Sequence, residues 1–290
     1  MDPIFATRVN MHHWRISKKD SRLQAGFTLV ELMVGMLACA ILTYAAFSLY
    51  ITQHKQMLVQ DEIADMQGNI RAAAETLASA LRKAGYNLPG ALFNPIETRD
   101  TNPDTIIVTF DSGGLVGVTL RYDMVDATDD IRCNVSDDVD ALNDGEWALI
   151  YDPGTETGEL FQTSRVFFGP PRIQHTSMPL SQPYPAGSQL FKITRIKFYL
   201  DQSDSTRSDL KIQVYGNSPQ TFAENIVDLN FRYFLASGAI VTQTNTPDQI
   251  RMVEIDVLGR TASADADFAE PYRTRRFTLR VKVRNLAFNS

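Results

Sequence analysis

The sequence predicts an α+β protein: one long N-terminal helix, then an antiparallel, β-rich globular unit. Three observations carry this reading. From Phe27 to Thr52 the chain is almost unbrokenly apolar, with Glu31 as its only carboxylate and no Lys, Arg or Pro. No proline stands between Pro3 and Pro89, and beyond Thr52 apolar residues recur every three or four positions, the helical period. From about residue 100 the period changes to two, the spacing of strands with one buried and one wet face.

The chain divides in sequence into three parts: residues 1–26, a helix over 27–88, and a β-rich unit over 89–290. Residues 1–26 are polar and basic. Arg8, Arg15, Lys18, Lys19 and Arg22 outweigh Asp2 and Asp20, a balance of +3 against −9 for the remainder. A cleavable secretory signal has a short apolar core followed by a small residue at the cut. Here the apolar run is longer and the small residue, Gly26, precedes it.

Residues 27–52 are long and apolar enough to cross a bilayer as a helix. The basic flank is expected on the cytoplasmic side and the chain from about residue 52 onward outside. Residues 53–88 are amphipathic. Ile63, Met66, Ile70, Ala73, Leu77, Ala80 and Ala84 form one apolar stripe, and Gln60, Asp61, Asp65, Gln67, Arg71, Glu75 and Lys83 lie elsewhere. Two readings fit the stripe: burial under the chain's own domain, or a coiled coil with a partner. Gly85 and Pro89 supply the stop.

Thr105–Phe110 and Leu115–Tyr122 read as a hairpin around Asp111-Ser112-Gly113-Gly114. Residues 123–146 are acidic and turn-rich, a solvated loop or, less well supported by spacing, a calcium site. Trp147–Tyr151 and Leu160–Phe168 read as a strand pair. Residues 169–188, with five prolines, read as a loop and a sub-domain boundary. The remaining strands are Leu190–Leu200, Leu210–Tyr215, Asn225–Leu235, a segment around Val253–Val257, and Phe277–Val283. The wet face of the last is basic, through Arg273, Arg275, Arg276, Arg280, Lys282 and Arg284. It suits either solvated pairing with nearby carboxylates or an acidic neighbour.

Beyond the calcium alternative in 123–146, no residue pattern points to catalysis, a metal or a cofactor. Of the four histidines, His12 and His13 precede the apolar run, His54 borders it and His175 stands alone in the proline-rich stretch. A zinc site needs three or four converging ligands, and a Ser-His-Asp triad would have only His175 to use. Cys39 and Cys133 are too few and too far apart for a disulfide framework. The acidic balance beyond residue 26 argues against nucleic-acid binding through a basic face.

The stretch Gly26-Phe27-Thr28-Leu29-Val30-Glu31-Leu32, behind a basic leader and ahead of a full apolar helix, resembles the prepilin motif of type IV pilins and type II secretion pseudopilins. The resemblance implies that a prepilin peptidase cuts between Gly26 and Phe27 and methylates the new α-amine of Phe27. It implies that Glu31 then pairs with the N-terminus of a neighbouring subunit in a filament. The partners it implies are that peptidase, other major and minor pilins and an inner-membrane assembly platform. Before assembly the chain would span the inner membrane once with its leader in the cytoplasm, and afterwards it would sit in a pilus at the cell surface or in the periplasm. Leu81-Arg82-Lys83-Ala84-Gly85-Tyr86-Asn87 and the ending Tyr272-Arg273-Thr274-Arg275-Arg276-Phe277 through Val283-Arg284-Asn285 are most similar to a PilW-type minor pilin. The chain departs from many major pilins: Ser48 stands where a helix-kinking proline is common, and no C-terminal disulfide can form. Both departures suggest a minor pilin contributing to pilus assembly, adhesion or motility, or a minor pseudopilin. A membrane-anchored periplasmic protein with no filament role is the remaining alternative.

Overall fold

The structure is a computed structural model, and it describes residues 26–89, 94–134, 139–175, 179–204, 206–265 and 269–286. Of the sequence features above, the basic leader with His12 and His13, and Asp137 and Asp138 of the acidic loop, lie outside the described residues.

Among the described residues a single α-helix, α1 (Leu29–Lys83), precedes the strands. The strands are β1 (Ile96–Arg99), β2 (Thr105–Asp111), β3 (Ile131–Arg132), β4 (Trp147–Asp152), β5 (Thr157–Gln162), β6 (Arg165–Phe168) and β7 (Pro171–Gln174). They continue as β8 (Gln189–Asp201), β9 (Asp209–Val214), β10 (Gln220–Ala223), β11 (Ile226–Leu235), β12 (Ile240–Val241), β13 (Ile250–Arg260) and β14 (Thr274–Lys282). The predicted α+β class holds, and every strand pairing is antiparallel.

Contacts divide the chain into two compact units, Met1–Gln56 and Met57–Ser290. In the first, α1 is apolar all round and each described residue is exposed. Its few hydroxyls turn back on the helix: Thr43 donates to the Cys39 carbonyl at 2.8 Å and Thr52 to that of Ser48 at 3.0 Å. No hydroxyl of these two is left needing water, which suits apolar surroundings.

In the second unit the rest of α1 packs through the predicted stripe. Met66, Ile70, Ala73, Leu77, Ala80 and Ala84 are buried and Ile63 is half-buried, so the chain's own domain covers this face. Full burial of Ile70, Leu77 and Leu81 contributes about 1.5–3 kcal/mol apiece. Two layers close over it. One is the seven-stranded sheet, in which the long β8 pairs with β2 along one edge and with β4 and then β9 along the other. The second is the sheet β12-β11-β13-β14. Phe110 and Phe198 from the first, and Phe231, Tyr233, Val253, Ile255 and Val257 from the second, join the helix stripe in one core.

A second core gathers Leu115–Leu190 around Ile131, Leu142, Phe161 and Ile173, beneath the small sheet β3-β7-β6. Four sequence readings change here. Leu115–Tyr122 is not a hairpin strand: Gly113, Gly114 and Gly117 have positive φ, and only Thr119 and Leu120 make isolated bridges. The partner of β2 on that side is β1, a short strand with no clear period. Leu160–Phe168 splits at Thr163-Ser164 into β5 and β6, which belong to different sheets. The proline-rich stretch contains β7, with Pro171 at its first position, where a missing N–H is tolerated. No boundary falls there, since Met57–Ser290 is one unit.

Candidate functional site

The N-terminal segment is built from a glycine, an exposed ring and a helix cap. Gly26, Phe27 and Thr28 precede the first turn of α1, and Phe27 is 88% exposed. Among the described residues a Cβ added at Gly26 would meet nothing within 4 Å, so no packing among them demands a glycine there. Thr28 and Glu31 form a reciprocal cap. The Glu31 amide donates to the Thr28 hydroxyl at 3.2 Å, while the Thr28 amide and hydroxyl donate to Glu31 Oε2 at 2.9 and 3.0 Å. This is a capping box, and it satisfies helix-start donors that otherwise lack partners. It also places a carboxylate at the positive end of the helix dipole. The T-x-x-E spacing is its sequence signal, which a reading of Glu31 as an isolated charge overlooks.

From Leu29 to Tyr50 the apolar surface of α1 has no cover among the described residues. Leu29, Met33, Leu37, Leu42, Tyr44, Phe47 and Tyr50 are each more than half exposed. The helix is long and apolar enough to cross a membrane, and its most apolar window is not buried by the protein. A helix core of a water-soluble protein would be buried; this one needs lipid or other helices around it.

The segment 81–87 and the C-terminal ending meet in space, although about 200 residues separate them. Gly85 and Asn87 both take positive φ and turn the chain out of the helix. Asn87 Nδ2 donates to Asp111 Oδ2 at 2.6 Å. Asn285 Nδ2 lies 3.2–3.4 Å from the carbonyl oxygens of Arg82, Lys83 and Ala84, and Leu286 packs where a Gly85 Cβ would sit. Asn285 thus ties the C-terminal segment to the end of α1, a role with no local sequence signal.

Three of the six residues of the basic face, Arg273, Arg276 and Arg280, are answered from within. Arg280 and Arg232 flank the buried Glu254, and Arg276 contacts Asp256 at 2.6 Å and Asp228 at 3.8 Å. Arg273 contacts Asp265 at 2.8 Å.

Other chemistry-bearing residues have structural surroundings. His175 is buried with Nε2 at 2.8 Å from the Asp129 carbonyl and its ring edge-on to Phe161. His54 is exposed and stacks on Tyr50; Cys39 is exposed and Cys133 buried. In the acidic loop, Asp126, Asp129 and Glu146 accept backbone N–H bonds that hold turns, and Asp144 accepts one from Val166 of β6. Among the described residues no three His, Cys, Asp or Glu side chains converge as a metal site would require.

Residues 21–47 match the family model of the prokaryotic N-terminal methylation motif. None of the curated proteins compared matches the chain. The matched segment contains Gly26, Phe27, the Thr28–Glu31 cap and the first turns of the exposed helix. The chain therefore carries a prepilin-like N-terminus on an apolar helix, with an antiparallel β unit behind it.

Proposed function

We propose that the chain is a minor pilin subunit of a type IV pilus, processed at Gly26–Phe27 and N-methylated on Phe27 by prepilin peptidase. The observation that carries this reading is the coincidence at one point of a methylation-motif match, a glycine with no packing role and the start of an uncovered apolar helix. Before processing, the helix holds the chain in the inner membrane. After processing, the same apolar surface packs against the helices of other pilins, delivered by the inner-membrane assembly platform. Helix–helix contact then replaces lipid contact without exposing apolar surface to water.

Glu31 acts as the docking charge. A carboxylate in hydrocarbon is costly, of order 3 kcal/mol at a helix centre. Its cap with Thr28 lowers that cost within one chain, and the α-amine of a neighbour's Phe27 supplies the opposite charge in the filament. The low abundance expected of a minor subunit places its role in assembly or initiation of the fibre, and through it in adhesion or motility.

N-terminal mass analysis of the membrane-extracted protein tests this. Methylated Phe27 as the first residue is expected, and Gly26→Val is expected to leave the precursor at full length. A mature protein that still begins at Met1 in a strain with active prepilin peptidase refutes the reading. Glu31→Ala is expected to be inserted and cleaved normally but to be depleted from sheared fibres. Wild-type abundance there would remove Glu31 from the docking step.

A further inference from the structure

The second unit carries a group of arginines that neither core nor N-terminus uses. In the small sheet, Ile131, Ile173 and Val166 stand in cross-strand register and are buried. The adjacent row, Arg132, Arg172 and Phe167, therefore lies on the opposite face. Arg132 and Arg172 are direct antiparallel partners. Like charges placed opposite one another destabilise a ladder. Arg121 joins them: its amide donates to the Arg132 carbonyl at 2.8 Å, and its guanidinium lies 4.9 Å from the Tyr122 ring centre. Arg165 and Arg172 both stack on Phe167, at 5.0 and 4.1 Å.

Among the described residues, little negative charge answers this cluster. Asp130 contacts Arg172 at 3.2 Å, and Arg121, Arg132 and Arg165 make no ion pair among the described residues. Arg132 and Arg172 are thus like-charged cross-strand partners, of which Asp130 answers only Arg172. Arg121, Tyr122, Arg132, Phe167, Pro170 and Arg172 line a cleft of about 390 Å³. That is the size of a small-molecule site and larger than a bare oxyanion needs. Guanidinium groups match carboxylate and phosphate in a two-pronged fashion. The tyrosine ring and the proline offer apolar surface beside them.

We propose that this cleft binds an acidic sugar. Arg121, Arg132 and Arg172 hold its carboxylate or phosphate, and its C–H face rests on Tyr122. Arg172 is already oriented by Asp130 and by its stack on Phe167, so it loses little freedom on binding. The proposal does not depend on the filament role, because it uses no residue of the N-terminal segment.

Ligand-observed NMR on the full chain in detergent micelles tests it, with glucuronic acid, glucose 6-phosphate, glucose and inorganic phosphate as probes. Saturable binding of one or both acidic sugars is expected, with little for glucose. Preference between them tells whether carboxylate or phosphate is the natural head group. Arg132→Ala and Arg121→Ala should each weaken binding by about tenfold, the loss of one charge-assisted contact. Arg132→Ala should leave the thermal transition unchanged or raised, because it removes a like-charge neighbour. The proposal is overturned if neither acidic sugar saturates below about 10 mM. It is equally overturned if glucose or inorganic phosphate binds as tightly, or if both arginine variants bind like the wild type.

Discussion

At the scale of single residues, three glycines behave differently, and the difference separates packing from processing. Gly26 has open space around it among the described residues. Gly85 has φ +74 and Leu286 at 2.9 Å from a built Cβ, while Gly259 on β13 would place a Cβ 2.6 Å from the buried Ile70. Gly259→Val should therefore lower stability by about 1–3 kcal/mol, the range for overpacking, seen as a lower denaturation midpoint. Gly26→Val should leave that midpoint untouched while abolishing cleavage. Two carboxylates set opposite pH dependences. The hydrogen bond from Arg280, aided by the charge of Arg232, lowers Glu254 below the ordinary value of 4.5. A lowered folded value means its stabilisation is present above about pH 4.5 and is lost as pH falls through the folded value. Glu254→Gln should thus destabilise the protein at neutral pH and flatten its acid limb in melts run across that range. Burial raises Asp104 above 3.8, outweighing the hydrogen bond it accepts from the Phe231 amide at 2.9 Å. Its charge disfavours the fold at neutral pH and the penalty fades as acid protonates it, so Asp104→Asn should help at pH 7 and give no gain in acid.

At the scale of elements, the end of α1 depends on a residue from the far end of the chain. The last carbonyls of a helix lack intrahelical donors, and Asn285 supplies one to the group at Arg82–Ala84. Asn285→Ala should cost about 0.5–1.5 kcal/mol, the worth of one net hydrogen bond, measurable by denaturant unfolding. The loss should also raise hydrogen exchange at the end of α1 more than in β8. Strand behaviour follows the same logic of distant partners. β8 is continuous because its length serves three neighbours, whereas Leu160–Phe168 breaks because its two ends join different sheets.

At the scale of the whole molecule, each of the two units meets its own solvent. The first exposes apolar side chains all round and has no buried residue among those described. The second has two cores of its own, and its exposed face on α1 is polar, through Asp61, Asp65, Gln67, Arg71 and Glu75. A fragment starting at Met57 is therefore expected to be soluble without detergent, to elute as a monomer and to unfold in a cooperative transition. The full chain should require detergent or lipid. Aggregation of the fragment in size-exclusion chromatography would show that the second unit depends on the first.

Much of the helix was legible in the sequence because its signals are local. Apolar composition, a 3.6-residue period and a glycine stop are each set within a few turns, and the T-x-x-E cap at Thr28–Glu31 lies within four residues. The strands of the last hundred residues were legible for the same reason, since their alternation survives in the chain. The proline-rich stretch and Leu115–Tyr122 were not, because glycine conformations and pairing across the chain decide them. The sequence by itself determined the prepilin-like N-terminus, the exposed apolar helix and the β-rich unit behind it. Only the tertiary structure decided that the stripe of α1 is covered by its own sheets, that Asn285 closes the helix, and that Arg121, Arg132 and Arg172 share one cleft. Those outcomes come from contacts between residues far apart in sequence, which local period and composition do not encode.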